Sequence, residues 1–386
     1  MALFPPTLLD YHSPTTMTAI ETEYDIIIIC AGVAGSAAAE SDRIFGELLQ
    51  PGGVVALEEL GMSNCLEDID CIPVRGYHIY WKNDEVTFWY PPKSIPNSTV
   101  PNCADRRPKT RRPEGRSFHH GRFASKLREE VRSQKNVKVI ESTALSARIY
   151  YPNLTIIANG YSSDFRCHRK ELKPQLTSRF WGLELIDVSL PEPGLAYGVI
   201  GRGPPALIYD IGSYETRSSS IVESDTKSYI EETVTPTLHK AVQSSWLPPK
   251  SRKAGGALLL GDAGNMRHPL NGGGMTVALK DVLHWRCKSY SASLNILTQA
   301  LYALFEAENP QLEIMQRGFP AGLMGGVIHS PLVLFYHFFS IAIHSMGLLI
   351  YESPMWFLPV TIVRCILVFS KTLGTILPFI LSEVWS

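Results

Sequence analysis

The sequence predicts an α/β protein with a nucleotide-binding unit near its N-terminus, an antiparallel sheet in its middle and apolar helices at its C-terminal end. The β-branched run Tyr24–Ile29 leads into the turn Cys-Ala-Gly-Val-Ala-Gly, a pattern typical of the strand and turn that open a nucleotide-binding unit. Residues 180–222 alternate short apolar runs with Gly and Pro, as antiparallel strands and their turns do. Residues 318–351 contain no Asp, Glu, Lys or Arg.

The turn after the first strand has the small residues of a Rossmann-like fingerprint. Residues 32–35 would let the backbone approach a pyrophosphate at a helix N-terminus, although Cys30 stands where the fingerprint has its first glycine. Only ten residues separate Gly35 from Gly46, whereas a βαβ unit takes roughly 30 residues. The second strand and its ribose-binding acid have no room in this interval. Either a divergent chain compensates for this loss, or coding sequence has been skipped.

A second glycine-rich segment, Gly261–Asp281, joins a predicted strand at Leu258–Leu260 to a predicted helix at Met275–Leu283. The glycines at 272–274 leave the first N–H groups of that helix unobstructed, and such groups attract an anion or an electron-rich ring edge. Glycines alone also suit an ordinary strand-turn-helix connection. Together with the Gly-Asp turn and the His-Pro pair, they favour a site for a phosphate and a flat ring.

Three further elements are predicted between these two glycine-rich segments. Ser117–Arg132 has the pattern of a helix, whereas Val137–Ile140 and Thr155–Ala158 have the pattern of strands. The strand at Thr155–Ala158 ends in the turn Asn159-Gly160. These elements extend the α/β pattern across the first half of the chain.

Two apolar segments end the chain. Pro331–Ile350 supplies the roughly 20 apolar residues that a membrane span requires. Met355–Trp385 is nearly as apolar, and Pro359 and Pro378 are predicted to interrupt it. Three interpretations are open, namely helices that span a membrane, helices that dip into one leaflet as a monotopic anchor, and a buried hairpin of a soluble fold.

Composition restricts the partners of the chain. Lys and Arg number 36 against 37 Asp and Glu, for a formal net charge of −1. This balance gives no indication of nucleic-acid binding, and no nucleic-acid partner is predicted. Hydrophobic residues make up 45% of the chain and charged residues only 19%, which makes a membrane the favoured partner.

The cysteines and the N-terminus indicate the compartment. The seven cysteines are scattered, with no Cys-x-x-Cys pair, and are predicted to be reduced thiols facing the cytosol. Prolines and an Asp interrupt the first 16 residues, so no cleaved signal sequence is evident. Residues 1–23 are predicted to be a disordered lead.

Four blocks of sequence resemble one family of flavoproteins. They are GDAGNMRHPLNGGGMTVALKDV at 261–282, DRIFGELLQPGG at 42–53, SFHHGRFASKLR at 117–128 and SPLVLFYHFFSIAI at 330–343. In sequence and in order they resemble the squalene monooxygenase (squalene epoxidase) family in its fungal-like form, within the flavoprotein monooxygenases of the p-hydroxybenzoate hydroxylase type. The resemblance covers most of residues 24–386, with apparent internal deletions. It implies an FAD-binding Rossmann-like fold, an antiparallel substrate-domain sheet over the flavin, and C-terminal membrane-associated helices.

The resemblance also implies how the chain is organised. After the lead at 1–23 come the first part of the FAD-binding domain at 24–178 with a substrate-side insertion at 72–115, the substrate-domain sheet at 179–250, the second part of the FAD-binding domain at 251–317, and membrane-anchoring helices at 318–386. The turn Asn159-Gly160 departs from the family, which has Asp-Gly there. Asn keeps the turn chemistry but removes a charge.

Several residues of this chain match functional positions of the resembled family. Tyr77 and Gln50 match its catalytic pair, in which Gln50 hydrogen-bonds Tyr77, and Tyr209 matches a tyrosine of its substrate pocket. The matching cofactor-binding positions are Gly32, Val33, Ala34, Gly35, Arg43, Leu48, Arg122, Asp262 and Met275. Ordinary roles are the alternative, since a buried tyrosine needs a hydrogen-bond partner in any protein, a lone arginine is usually solvated and an aspartate often caps a turn.

Histidines at 119, 120 and 268 raise the question of a metal site. No third ligand stands at a suitable spacing, so hydrogen-bonding or packing roles are preferred and no metal site is predicted. The cofactor that the resemblance implies is FAD, with NADPH as the electron source through a partner cytochrome reductase.

The resemblance implies epoxidation of a squalene-like lipid to the 2,3-epoxide for sterol or triterpene synthesis. The location it implies is the endoplasmic reticulum or microsomal membrane, with the catalytic part in the cytosol. Two alternatives remain open at this point. One is a degenerate, inactive paralogue with impaired FAD binding, which the short interval before Gly46 favours, and the other is a related flavoprotein that acts on another lipophilic substrate.

Overall fold

The fold is given by a computed structural model of the 386-residue chain. The structure describes residues 24–29, 32–33, 46–81, 84–90, 113–140, 154–161, 163, 175–200, 205–221, 240–247, 257–267, 269, 272–283, 295, 298 and 353–385, with scattered helical positions between 336 and 351. The predicted lead at 1–23 lies outside the described residues, as do Ala34, Gly35 and Arg43.

The described part of the chain contains thirteen strands and four named α-helices. The strands are β1 (Ile26–Ile29), β2 (Leu48–Leu49), β3 (Ile72–Val74), β4 (Gly76–Trp81), β5 (Asp84–Trp89), β6 (Gly115–Ser117), β7 (Leu154–Ile157), β8 (Gln175–Ile186), β9 (Leu195–Ile200), β10 (Ala206–Asp210), β11 (Glu215–Ile221), β12 (Lys240–Trp246) and β13 (Ala257–Leu259). The α-helices are α1 (Pro51–Glu59), α2 (His120–Ser133), α3 (Gly273–Leu283) and α4 (Leu358–Trp385).

A three-stranded parallel sheet in the order β1-β7-β13 corresponds to the predicted nucleotide-binding unit. It confirms, within a residue or two, the strands predicted at Tyr24–Ile29, Thr155–Ala158 and Leu258–Leu260. Parallel strands form here because each is a short, continuous apolar run, which is typical of strands in buried parallel sheets. The glycine-rich turn at 261 follows β13 directly.

The two faces of this parallel sheet differ in burial. Ile29 and Ile157 pack on one face against Ala263. On the other face of β1, Ile26 is 52% and Ile28 is 55% exposed. Among the described residues β1 is the edge strand, so part of an apolar face that a complete α/β sheet would cover faces solvent.

A larger sheet contains seven described strands in the order β12-β8-β11-β10-β9-β4-β5. The strands from β8 to β12 pair with one another in antiparallel fashion. The sheet as a whole is mixed rather than antiparallel as expected, because β4 runs parallel to β9. The β4-β5 hairpin comes from a distant part of the chain, and such a long connection leaves the strand direction free.

A third, antiparallel sheet in the order β2-β6-β3 adjoins helices α1 and α3. Helix α1 begins at Pro51, where a missing N–H costs no hydrogen bond. A Cβ added at Gly53 would lie 2.8 Å from Thr276 Oγ1, so this glycine permits the close approach of α1 to α3. The buried core between these elements consists of Leu49, Ala56, Leu57, Cys65, Ile69, Phe118, Phe123, Leu127, Met275 and Leu279.

Helix α2 and the segment after it differ in part from the predictions. The helix predicted at Ser117–Arg132 is present, but it begins at His120, and Ser117 belongs to β6. The strand predicted at Val137–Ile140 is wrong, since this segment has no regular structure. Its apolar side chains at 137, 139 and 140 are more than 40% exposed, because an alternating pattern makes a strand only where a partner strand is at hand.

The C-terminal end is a helical hairpin. Described positions between 336 and 351 are helical, and α4 returns from Leu358 to Trp385. Pro359 and Pro378 do not interrupt α4, contrary to the prediction. Pro359 lies in the first turn, where no N–H donor is needed, and Pro378 is accommodated inside the helix.

The two arms of the hairpin pack through one side of α4. Thr361, Cys365, Val368 and Thr372 are buried, and their spacing of three and four places them on one helix face. The Cys365 thiol lies 3.9 Å from the Met346 carbonyl oxygen of the other arm. On the open surface of α4, the apolar side chains at 362, 363 and 366 are about half exposed, and Arg364 and Lys371 are exposed as well.

One helical segment in the described part of the chain, Met355–Gly374, is long and apolar enough to cross a membrane. Only 17% of its residues are buried. Of the other predicted segment, Pro331–Ile350, the residues before 336 lie outside the described part.

Candidate active site

Gln50 lies at the centre of a buried hydrogen-bond network. It follows β2 and precedes α1, which fixes its backbone between a strand and a helix N-terminus. Its Nε2 donates to the Tyr77 hydroxyl at 2.7 Å, as the family resemblance implied. The Tyr90 hydroxyl donates to Gln50 Oε1 at 2.8 Å. The two tyrosine hydroxyl groups therefore hold the side-chain amide of Gln50 at both ends.

The glycine-rich start of α3 lies directly against Gln50 and Leu48. Gly272 has φ of +61°, a left-handed conformation that favours glycine. A Cβ added there would stand 3.0 Å from the Leu48 carbonyl oxygen and 3.3 Å from Gln50 Nε2. By contrast, a Cβ added at Gly274 would meet nothing within 4 Å. The first turn of α3 therefore opens onto free space beside the Gln50 network.

Met275 and Gly46 lie near the first turn of α3, on the side of the buried core. Met275 is 6% exposed and belongs to the core between α1, α2 and α3. Gly46 has φ of +84°, and a Cβ added there would lie 3.2 Å from His120 Nδ1 and 4.0 Å from Met275 Sδ. His120 Nδ1 lies 3.0 Å from the Gly46 carbonyl oxygen. A side chain at Gly46 would thus disturb both the turn and its packing.

A buried ion pair connects this region with the large sheet. Arg217 Nε donates to Glu47 Oε2 at 2.6 Å, and Arg217 Nη2 donates to Glu47 Oε1 at 2.7 Å. The two side chains are 3% and 0% exposed. Arg217 Nη2 also donates to Glu184 Oε2 at 3.2 Å. Tyr209, the predicted substrate residue, stands opposite Arg217 in the pairing of β10 with β11.

The buried tyrosines keep their protons. Burial raises the pKa of Tyr77, against the opposing effect of its polar contacts with Gln50 and Tyr90. Burial and the neighbouring Tyr77 raise the pKa of Tyr90 well above its ordinary value. Burial, followed by the charge of Glu47, does the same to the pKa of Tyr209. An ordinary tyrosine has a pKa of about 10, so all three are neutral hydroxyl groups at neutral pH.

The turn after β13 is stabilised by α3. Gly261 has φ of +56°, and its N–H donates to Asp281 Oδ2 at 3.3 Å. Asp262 follows in the first turn of a short 3-10 helix, Gly261–Ala263, and is exposed. Its carboxylate therefore remains accessible to a ligand.

The other predicted cofactor residues are only partly described. Gly32 lies in a bend and borders open space, since a Cβ added there would meet nothing within 4 Å. Val33 packs against the core between α1 and α2. Arg122 lies on α2 with its guanidinium 45% exposed and 3.6 Å from Asp70 Oδ2. No contact of Arg122 with the Gln50 network is present among the described residues.

The histidines at the start of α2 have ordinary contacts. His119 Nε2 lies 3.9 Å from Glu215 Oε2, and His120 contacts the Gly46 carbonyl oxygen. In the part of the chain that the structure describes, no three His, Cys, Asp or Glu side chains come together in a way that could hold a metal ion.

Two residues of the site were not found by inspection of the sequence. In the sequence, Tyr90 looks like any aromatic residue at the end of a strand. Only the fold brings it to Gln50, 40 positions away. Arg217 lies 170 positions from Glu47. A charged residue among the small and β-branched residues 216–221 is the one signal that could have drawn attention to Arg217.

Comparison with known proteins identifies the family. The family model described as squalene epoxidase matches residues 151–286 and 282–363. Squalene epoxidase erg1 of Aspergillus fumigatus is 37% identical to this chain, over 94% of the chain and 94% of the relative. The chain belongs to the squalene epoxidase family. The family resemblance of the four sequence blocks is thereby confirmed.

The squalene epoxidase relatives span several kingdoms. Squalene epoxidase ERG1 of Gibberella zeae is 34% identical over 84% of this chain and 87% of the relative. Squalene monooxygenase of Mus musculus is 30% identical over 98% of this chain and 81% of the relative. The two fungal relatives are thus more similar to this chain than the mouse protein is, in agreement with the predicted fungal-like form.

The fold of this squalene epoxidase family member is also that of flavoproteins of known structure. PqsL, a probable FAD-dependent monooxygenase of Pseudomonas aeruginosa, matches with a TM-score of 0.52 and 16% identity, over 90% of this chain and all of that chain. The flavin-dependent brominase Bmp2 matches with a TM-score of 0.55 and 12% identity, over 83% of this chain and 99% of that chain. These similarities place the chain in an α/β fold shared by flavin-dependent monooxygenases and halogenases.

The squalene epoxidase alignments also bear on the internal deletions. The alignment with the Aspergillus fumigatus protein is 464 residues long, whereas this chain has 386 residues. At least 78 aligned positions of the relative, the difference between these lengths, therefore have no counterpart here. The short interval between Gly35 and Gly46 is consistent with such a loss.

Proposed function

We propose that this chain is an FAD-dependent monooxygenase that epoxidises squalene, or a closely similar alkene, to the 2,3-epoxide. The observation that carries the proposal is the placement of the Gln50 network beside the glycine-led helix α3, in a chain of the squalene epoxidase family. A neutral, fixed hydroxyl and amide lie beside the start of α3, which borders open space at Gly274. Such a site can orient a flat cofactor and exclude water from its reactive edge.

The described residues fit the flavin end of FAD. A Cβ at Gly272 would crowd Leu48 and Gln50, whereas the space beyond Gly274 is open, so backbone N–H groups at the start of α3 can approach a ring edge. The helix N-terminus favours negative charge on the reduced ring. Leu48, Gln50 and the N–H of Met275 would hold the isoalloxazine ring.

The remainder of FAD would lie toward β1 and the turn at Gly261. Gly32, Val33, Ala34 and Gly35 would approach its pyrophosphate. The exposed carboxylate of Asp262 would accept hydrogen bonds from the ribityl chain. The guanidinium groups of Arg43 and Arg122 would pair with phosphate or ring carbonyl groups, which for Arg122 means leaving the half-exposed ion pair with Asp70.

The residues of the chain have positioning roles in this proposal. Bound FAD supplies the oxygen-activating chemistry. Tyr77 stays protonated because burial raises its pKa, and Gln50 fixes the position of its hydroxyl, so Tyr77 can donate one directed hydrogen bond at the reactive edge. Tyr209, buried beside Tyr77 and Glu47, would contribute an apolar ring to the substrate pocket.

Electron supply and location follow from the same proposal. NADPH would reduce the flavin through a partner cytochrome reductase at the endoplasmic reticulum membrane, with the catalytic part in the cytosol. The apolar open face of α4 supports attachment to that membrane. An aliphatic substrate such as squalene partitions into lipid, so an enzyme held at the bilayer meets it there.

A turnover assay tests this proposal. Detergent-solubilised protein is mixed with FAD, a microsomal NADPH-dependent reductase, NADPH, O₂ and squalene, and the 2,3-epoxide is quantified by mass spectrometry. We expect product from the wild-type chain and a loss of about 100-fold or more for Tyr77→Phe, the order that one directed donor at a reacting centre contributes. Tyr214→Phe, at an exposed tyrosine, should retain wild-type turnover. Absence of epoxide from a folded, flavin-loaded protein would contradict the proposal.

A further inference from the structure

The Glu47–Arg217 pair joins two parts of the molecule that are distant in sequence. Both oxygens of Glu47 accept hydrogen bonds from the guanidinium fork of Arg217, at 2.6 and 2.7 Å. Neither side chain is more than 3% exposed. Planar, bidentate pairing of this kind fixes the relative orientation of its partners as well as their distance.

Stability alone does not account for this pair. Removing two charges from water carries a large desolvation penalty, and well-packed apolar residues at such a place commonly stabilise a fold equally well or better. The best attested effect of a buried polar pair is the selection of one arrangement among several. Glu47 and Arg217 are therefore expected to select one arrangement of the two parts of the molecule that they join.

On the flavin side, the pair fixes the start of β2. Glu47 directly precedes Leu48 and Leu49, and its carbonyl oxygen accepts from the Phe118 N–H at 2.9 Å. The Leu48 carbonyl oxygen and the Gln50 amide both border Gly272. A shift of Glu47 would thus move the two groups that face the glycine-led helix.

On the other side, the pair is anchored in the large sheet. Arg217 lies in β11 between β8 and β10, and it stands opposite Tyr209 in one strand pair and Glu184 in the other. A second contact joins the same two sheets, since Ser117 of β6 donates to the Asp210 carbonyl oxygen of β10. The Glu47–Arg217 pair is therefore a charged contact in the attachment between these two parts, to which Ser117 and the Gln50–Tyr77 hydrogen bond also belong.

We propose that Arg217 is a positioning residue, which holds Glu47 so that Leu48 and Gln50 keep the geometry needed at the flavin and which couples that geometry to the sheet carrying Tyr209. The proposal deepens the proposed function and, for its effect on flavin, rests on it. Arg217 itself touches neither flavin nor substrate in this role. Its effect is transmitted through Glu47 alone.

Hydrogen exchange in the full-length, detergent-solubilised chain tests this role without any flavin. Exchange is followed in the peptide covering residues 46–50, in wild type, Arg217→Lys and the double variant Glu47→Gln with Arg217→Met. The double variant removes both charges, so that no unpaired buried charge remains. We expect exchange at 46–50 to accelerate about tenfold in the double variant and less in Arg217→Lys, while β7 and β13 keep their wild-type rates.

Glu184→Gln is the matched control. It removes the third, one-third-exposed partner of Arg217 but leaves the fork to Glu47 intact. We expect its exchange at 46–50 to stay within about twofold of wild type. Circular dichroism verifies that each variant is folded. If the double variant does not fold, the exchange rate of Arg217→Lys, which keeps the charge, tests the positioning role.

FAD affinity is the second measurement. We expect the dissociation constant for FAD to rise about tenfold in the double variant, in step with exchange at 46–50. Wild-type exchange at 46–50 in the folded double variant would overturn the positioning role. Failure of the wild-type chain to bind FAD would instead overturn the proposed function, and the exchange rates would still decide the role of Arg217.

Discussion

The side-chain amide of Gln50 is held at both ends by different tyrosines. Its oxygen accepts from Tyr90 and its nitrogen donates to Tyr77. An amide with only one of these contacts would have an unsupported end. Tyr90 therefore holds the Gln50 amide in place beside Tyr77.

Replacement of Tyr90 by phenylalanine tests this arrangement. The ring and its edge-to-face contact with Tyr77, with centroids 6.1 Å apart, are kept, whereas Gln50 Oε1 loses its donor. We expect the free energy of unfolding to fall by about 1 to 3 kcal/mol, the cost of a buried polar group that loses its partner. Urea denaturation followed by circular dichroism measures this change.

Tyr214→Phe is the control for that experiment. Tyr214 is 70% exposed, so its hydroxyl is solvated in both the folded and the unfolded chain. We expect its free energy of unfolding to change by no more than about 0.5 kcal/mol. Equal effects of the two substitutions would contradict the assigned role of Tyr90.

The residues of the site show how far inspection of the sequence reaches. The Gln50–Tyr77 hydrogen bond was implied by family resemblance and is present. Tyr90 and Arg217 were missed, because local patterns report burial and periodicity but not which distant side chain completes a hydrogen bond. Tyr90 and Gln50 meet only after the β4-β5 hairpin has joined the large sheet.

Among the elements, β1 departs most from what its sequence suggests. Four consecutive isoleucines are typical of a strand covered on both faces, yet Ile26 and Ile28 are more than half exposed. The interval of ten residues before Gly46 is too short for the crossover that would cover them. For the proposed FAD site, we therefore expect affinity to come mainly from the flavin side, around Leu48, Gln50 and α3.

The C-terminal hairpin is the second element with an exposed apolar surface. At its turn, Met355 is 89% and Trp356 is 80% exposed. Burying two such side chains in lipid contributes about 1.5 to 3 kcal/mol each. The turn of the hairpin, together with the open face of α4, is where we expect the chain to enter a bilayer.

Substitution of the hairpin turn tests membrane attachment. We expect Met355→Glu with Trp356→Glu to weaken binding to phospholipid vesicles by about tenfold or more, since two apolar anchors are replaced by charges. Flotation of protein with vesicles in a density gradient measures the bound fraction. Ile186→Glu, at a 65% exposed apolar residue of the large sheet, should float like wild type. Unchanged flotation of the double variant would place the membrane contact elsewhere.

Element positions were predicted better than element pairings. The strands at 26–29 and 154–157 and the helix α3 were evident from their apolar runs and glycine turns. The parallel pairing of β4 with β9 was not evident. The sequence of a strand does not indicate the direction of a neighbouring strand 115 or more positions away. The uninterrupted α4 was missed for another reason. Proline in the first turn, as at 359, costs no hydrogen bond, and the helix also continues through Pro378 in its interior.

On the scale of the whole molecule, the chain combines a parallel sheet of three described strands with the Gln50 network and the glycine-led helix α3. It lacks at least 78 positions of its Aspergillus fumigatus relative, yet the contacts among β2, α1, α3 and the large sheet are intact. The large sheet is tied to these elements by the Glu47–Arg217 pair and by Ser117. The catalytic region can therefore keep its geometry although β1 is an edge strand among the described residues.

The central claim is that this flavin-side site binds FAD, and an equilibrium titration of the purified chain with FAD tests it most directly. Flavin absorbance and fluorescence report the bound fraction. We expect one FAD per wild-type chain, and a dissociation constant at least about tenfold higher for Gly272→Ala, because a left-handed alanine costs about 1 to 2 kcal/mol and its Cβ would stand 3.0 Å from the Leu48 carbonyl oxygen. A folded wild-type chain that binds no FAD would contradict this claim.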